Sequence, residues 1–358
     1  MKHVIRATAG LIVAFALANT GCGDINADLQ PADIDHAHDS PDASMDATDV
    51  FEGRYHEIYL DEGSRTLYAL GRSDEALRLY SAMVPATPWE QLVWTRNALP
   101  HALAHDANVR VTSLVRHEGA LFLATGDHGA WTREASSGRW QPFEIDGAIN
   151  EGQVTRFAVH EGRLFAHIVY RSSGEHSAAG ERRVQIWAES QEGWQLQHEA
   201  LNMLIDYVPQ RTRTLRSTMY GTVEIQREMD DMWERVAEIN QGASARLTLW
   251  EGEMSAITRG GVWRSHTNAE HWEKLPGEGA WRFAIARDGL VLSQLDQRIE
   301  IMAPDATRHA LPPLPTTSVL PAELAALGDE VFATVYDDHI YRLAGDRQSW
   351  IPMTPAIR

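Results

Sequence analysis

His101 and His105 are the first side chains in this sequence whose spacing could do chemistry together. On a short helix, residues four apart share one face, where two imidazoles could chelate a metal. Asp106 is the only adjacent carboxylate, and the sequence offers no third ligand. Exposed loop histidines account for the pair without a metal. His36 and His38 lie in an acidic tract with no preset geometry for an ion. The pairs Asp230-Asp231 and Asp337-Asp338 lack the spaced Asp-x-Asp-x-Asp of a calcium loop. His117 and His160 stand at matching places before Glu-Gly, so a repeat explains them. There is no Gly-rich phosphate loop, no Gly-x-Ser-x-Gly and no His-Glu-x-x-His. The sequence therefore assigns no metal, no cofactor and no catalytic residue.

Cys22 is the one cysteine, so an internal disulfide cannot hold the fold together. It follows a basic start (Lys2, Arg6) and an apolar run over residues 7–18. That run is too short to span a bilayer and right for a signal peptide. Asn19-Thr20-Gly21-Cys22 resembles the lipobox of bacterial lipoproteins, in which the cysteine is lipidated and becomes the first mature residue. Small residues at Thr20 and Gly21 fit; Asn19 departs from the usual Leu-like residue. An ordinary secretory signal is the competing reading. The resemblance implies export and a lipid anchor at Cys22. Gly23 after the cysteine points to the outer membrane of a Gram-negative cell. Residues 23–51 hold eight Asp and no Lys or Arg, the composition of a disordered acidic linker.

The elements that would position any site come from a repeat. Trp-led segments begin at Trp89, Trp140, Trp194, Trp233, Trp272 and Trp350, with Leu311 in the same slot. From Trp194 onward the step is 39 residues. A period near 40 with four short strands per unit describes a propeller blade. Strand pairs meet at Glu62-Gly63, Glu118-Gly119, Glu161-Gly162, Glu251-Gly252 and Asp288-Gly289, where Gly supplies the positive φ of a tight hairpin. The expected fold is all-β: a seven-bladed β-propeller of four-stranded antiparallel blades. The expected layout is a signal peptide over 1–22, the linker over 23–51 and the propeller over 52–358. The units are expected near 54–93, 109–144, 154–199, 202–239, 244–276, 281–315 and 322–354. Each blade is expected to use its own four strands. Ring closure then rests on face-to-face packing, and the Trp residues on packing between blades.

Ser265-His-Thr-Asn-Ala-Glu-His-Trp272 resembles the Asp-box, Ser-x-Asp-x-Gly-x-Thr-Trp, at its first and last positions. Thr267 and Ala269 replace the Asp and the Gly. Proteins of this type include sialidases, sortilin-type receptors and photosystem II assembly factors. The resemblance implies architecture first. A sialidase would also need three converging arginines, an acid and a Tyr nucleophile, and its Arg-Ile-Pro signature is absent.

The chain has 358 residues and a formal net charge of −18, which disfavours nucleic acid. Two functions follow. The first is a monomeric, envelope-tethered, non-catalytic propeller that binds a protein or glycan, touching the membrane only through its anchor. The second is an exported glycoside hydrolase of sialidase-like architecture. Two acids and an arginine cluster facing one central pocket would favour the second. A wide face rimmed by uneven loops would favour the first. The tight Glu-Gly turns crowd one face, so recognition is expected on the other. The long stretches 93–110, 171–182 and 312–322 lie there, with His101, His105, Arg171, His176 and Arg182 as candidate contacts.

Overall fold

The computed structural model describes residues 54–353, except 73–75, 86–91, 107–108, 126–127, 146–147, 149–151, 172–180, 202–203, 219, 228–231, 240–244, 267–268, 317–321 and 336–338. The signal peptide, Cys22, His36, His38, the linker, Trp89, His176 and both Asp pairs lie outside the described residues.

The chain folds into seven sheets, each of four consecutive antiparallel strands in sequence order. The blades run over 54–97, 111–142, 153–201, 204–238, 246–274, 282–310 and 323–352. This is the seven-bladed propeller expected, and each blade draws all four strands from its own segment. First strands pack on one another most extensively between blades 2 and 3, 4 and 5, 6 and 7, and 7 and 1. Burial falls from the inside out. Gly289–Ser293, a second strand, is buried at every residue, whereas the fourth strand Arg308–Ala310 is largely exposed. Inner strands are therefore continuous apolar runs, as strands covered on both faces must be.

Each interface between blades holds one apolar cluster. Ile58, Leu60 and Trp94 of blade 1 meet Phe332, Ile340 and Met353 of blade 7. That cluster closes the ring by packing, with no strand shared between the ends.

The hairpins refine the turn chemistry. At Glu118-Gly119, Glu161-Gly162 and Glu251-Gly252 both residues have positive φ, the two-residue turn whose twist suits a hairpin. Glu62-Gly63 differs: the loop spans four residues, and Arg65 takes the left-handed conformation. At Asp288-Gly289 the loop is Arg287-Asp288, and Gly289 opens the next strand. A Cβ at Gly289 would meet the Met302 carbonyl at 2.5 Å, so close approach is what requires glycine there.

Two Trp assignments need correction. In blade 1 the fourth strand is Trp94–Asn97, and Trp94 takes the wedge position expected of Trp89. In blade 6 the position belongs to Arg308, not Leu311. The Leu311 amide bonds the Ile299 carbonyl at 2.8 Å, as Leu275 bonds Val262 and Met353 bonds Ile340. Leu311 therefore matches Leu275, three residues past Trp272. Arg308 packs under Gly277 and reaches Glu300 at 3.1 Å. Its guanidinium lies against Gly277, in the slot that an indole takes in other blades.

Candidate functional site

Counting back four residues from each first hairpin reaches one equivalent position per blade. These are Glu57, Ser113, Arg156, Asp206, Arg246, Arg282 and Glu323. All seven are polar at the head of an otherwise apolar inner strand. In blades 1 to 4 a β-bulge immediately precedes the position. A bulge re-aims the residue that follows it. Arg246, Arg282 and Glu323 are the first residues of their strands. The positions thus lie at the channel end where the connections between blades enter.

Several members reach forward to the next blade. Ser113 Oγ accepts the Phe157 amide at 2.8 Å. Arg156 Nη1 donates to Asp206 Oδ1 at 2.5 Å, and Asp206 Oδ2 accepts the Leu247 amide at 2.9 Å. Arg282 Nε donates to Glu323 Oε1 at 2.5 Å. Within blade 1, the Tyr59 hydroxyl donates to Glu57 Oε2 at 2.6 Å. The Arg156–Asp206 pair is buried, while Glu57, Arg246, Arg282 and Glu323 keep some exposed surface. That combination describes groups lining an enclosed but accessible channel.

Burial dominates the electrostatics. It pushes the Glu57 carboxyl up to about 8; the Tyr59 hydrogen bond opposes this and the Glu323 charge adds to it. It raises Glu323 too, against the pull of Arg282 and Arg246. It lowers Arg246 to about 10, with Asp206 resisting and Arg156 assisting. His167, on the neighbouring strand, is held well below the usual imidazole range by burial and then by Arg156. Outside the ring of seven, Arg259 is exposed and lays its guanidinium 3.5 Å from the centre of the Trp281 ring. Arg282 lies on the same indole at 5.7 Å. Arg72 and Arg110 are near enough to act on Glu57.

The residues picked from sequence stand elsewhere. His101 opens the helix His101–Ala104, between blades 1 and 2. Its ring is 4.8 Å from that of His105, and both side chains are exposed. Asp106 is engaged with His128 at 3.4 Å. Among the described residues no group of three His, Cys, Asp or Glu side chains is placed to hold a metal. Arg171 and Arg182 pair across the second and third strands of blade 3, both exposed. By topology all four share the face on which the channel positions open. The channel residues themselves were missed. Their signal was a polar residue four before every first turn, as in Arg246-Leu-Thr-Leu-Trp250 and Glu323-Leu-Ala-Ala-Leu327.

No family model matches the chain, and no curated protein does. Solved structures do. A puromycin-hydrolysing peptidase of Mycobacterium tuberculosis aligns with TM-score 0.60 at 11% identity, over 88% of this chain and 55% of that one. The WD40 propeller domain of Doa1 aligns with TM-score 0.57 at 13% identity, over 83% and 95%. PorZ, an essential surface component of the type-IX secretion system of Porphyromonas gingivalis, aligns with TM-score 0.54 at 13% identity, over 82% and 37%. The chain spans about half of that peptidase and little more than a third of PorZ. Identities this low carry the fold alone.

Proposed function

We propose that the chain is a cell-envelope-tethered, non-catalytic propeller that binds a protein or glycan partner on the face carrying the connections between blades. The observation that carries this reading is the charged channel mouth opening on that face. Rigid inner strands place it, and loops from consecutive blades surround it. Its carboxylates are committed to neighbours: Asp206 to Arg156 and the Leu247 amide, Glu323 to Arg282. The tether rests on the lipobox resemblance around Cys22, and the Asp-box kinship on the Ser265–Trp272 spacing. In that loop Ala269 is left-handed where the motif has Gly, and the Trp272 indole donates to its carbonyl at 3.0 Å.

Two arms test the proposal. Cys22→Ser should release the protein from membranes in fractionation, and a variant that stays bound would remove the anchor. A photo-crosslinking residue at Arg171 or Arg182 should capture a partner in intact cells, and one at Glu118 or Glu251 should not. Capture only from the Glu-Gly turns would place recognition on the opposite face.

One observation favours the hydrolase instead. Glu57, protonated up to about pH 8, stands near Glu323 with arginines around both. A protonated acid beside a second carboxyl can serve glycosidic cleavage. Against it, Arg282 neutralises Glu323, and Tyr59 is 1% exposed behind Glu57, out of reach of a sugar. Sugar release from envelope glycans that Glu57→Gln abolishes would reverse this ordering.

A further inference from the structure

We propose that the rim of blades 4 to 6, with the arginine-lined channel mouth beside it, docks an acidic segment of a partner protein. Aspartates or glutamates of that segment meet Arg259, Arg282 and Arg246, and its apolar side chains meet Tyr220 and Leu295. The inference deepens the function proposed above and rests on it for the working face.

Charge is the first support. The chain as a whole is strongly acidic, at −18. Around the channel mouth the balance reverses. Arg72, Arg110, Arg156, Arg246, Arg259 and Arg282 stand there against Glu57, Asp206 and Glu323. Asp206 and Glu323 each offset one arginine, Arg156 and Arg282, so the arginines still outnumber the acids. Glu57 keeps its proton at neutral pH because burial disfavours its charge. A local cationic site on an acidic protein focuses anions toward one place and repels them elsewhere.

Exposure is graded along the arginines. Arg259 is exposed, Arg282 is partly covered beside the same Trp281, and Arg246 is enclosed among Asp206, Glu323, Arg156 and Arg282. An anion entering this series loses water gradually and meets planar guanidinium forks suited to carboxylates.

The apolar rim is the second support. Tyr220 is 51% exposed and Leu295 57% exposed. Tyr220 lies between the second and third strands of blade 4, and Leu295 holds the same place in blade 6. Arg259 holds it in blade 5 between them. Three consecutive blades thus offer aromatic, cationic and aliphatic contacts on one face. The rim's own acids do not cancel the effect. Arg298 holds Asp296 at 2.5 Å and Glu278 at 2.9 Å. Buried carboxylates framed by apolar contacts describe an acidic peptide better than a neutral glycan.

The test measures binding of a fluorescent synthetic peptide alternating Asp and Leu to the full chain. Arg259→Glu should weaken binding by about tenfold or more. Leu295→Asp should weaken it too. Arg235→Glu, an exposed charge on the outer strand Glu234–Glu238, should leave it unchanged. Equal loss at Arg235 and Arg259 would show unspecific charge attraction and overturn the proposal. Competition by tri-galacturonate as strong as by unlabelled peptide would reassign the site to an acidic glycan. Binding seen only after the aspartates of residues 23–51 become asparagine would assign it to the chain's own acidic segment. A partner crosslinked through Arg171 or Arg182 but indifferent to Arg259→Glu and Leu295→Asp would sink this inference and leave the working face standing.

Discussion

The Trp series shows how one side-chain type is used unequally. Trp94 and Trp350 are buried, at 3% and 6% exposure, in the clusters joining blade 1 to blade 7 and blade 6 to blade 7. The Trp350 indole also donates to the Pro312 carbonyl at 2.7 Å. Trp140 and Trp272 are only half-buried. Trp94→Ala and Trp350→Ala should therefore each cost ~3–5 kcal/mol by chemical denaturation. Trp272→Ala should cost roughly half as much, because part of the ring already meets water. Equal costs at all three would contradict the packing described. The repeat was legible through these residues, but its step was not uniform. Counting a constant 39 led to Leu311, because an arginine in the Trp slot leaves no compositional mark. Hydrogen-bond register, which sequence does not carry, was needed to find Arg308.

At the scale of strands and turns, glycine does two separable jobs. At Gly162 it supplies φ +76° in a hairpin, and a Cβ there would meet nothing within 4 Å. At Gly279, on the link from blade 5 to blade 6, a Cβ would lie 1.7 Å from the Thr258 carbonyl. Gly162→Ala should cost ~1–2 kcal/mol, the price of a left-handed conformation for an L-residue. Gly279→Ala should cost more than about 3 kcal/mol, because backbone must move. Thermal melts would separate them; a Gly279→Ala protein as stable as Gly162→Ala would refute the close approach. The Glu-Gly signals gave three of the hairpins directly, since both residues follow from the turn type. Residues 62–65 escaped because Glu-Gly also fits a longer loop. The bulges before Glu57, Ser113, Arg156 and Asp206 had no local sequence signature. Polar heads of apolar strands were visible in the text, but their convergence needed the ring.

For the molecule as a whole, closing the ring buries titratable groups that chain entropy and apolar packing alone would leave in water, and this shapes stability against pH. Burial lowers His160 and His198 from 6.5 to about 4 and holds His167 well below the usual imidazole range. Below 6.5 the unfolded chain takes up protons that these folded histidines refuse, so their stabilisation is lost as pH falls from 6.5 toward 4. Glu57 works in the opposite sense. Folded, it keeps a proton up to about 8, whereas unfolded it gives it up near 4.5. Its term is complete below 4.5 and is lost as pH rises toward 8. Glu323 is shifted in the same direction. Between 6.5 and 8 the unfolded histidines finish losing their protons, which raises stability, while Glu57 lowers it, so the difference between the wild type and Glu57→Gln isolates the acid. Relative to Glu57→Gln, the wild type should lose stability across that window by up to about 1.4 kcal/mol per pH unit, the value for one full proton. Glu57→Gln keeps the neutral hydrogen-bonding shape without the titration, so it should remove that downward term and leave the histidine term in place. Urea denaturation of both proteins across the window decides it. A difference between the two proteins that stays constant from 6.5 to 8 would show that the proton sits elsewhere.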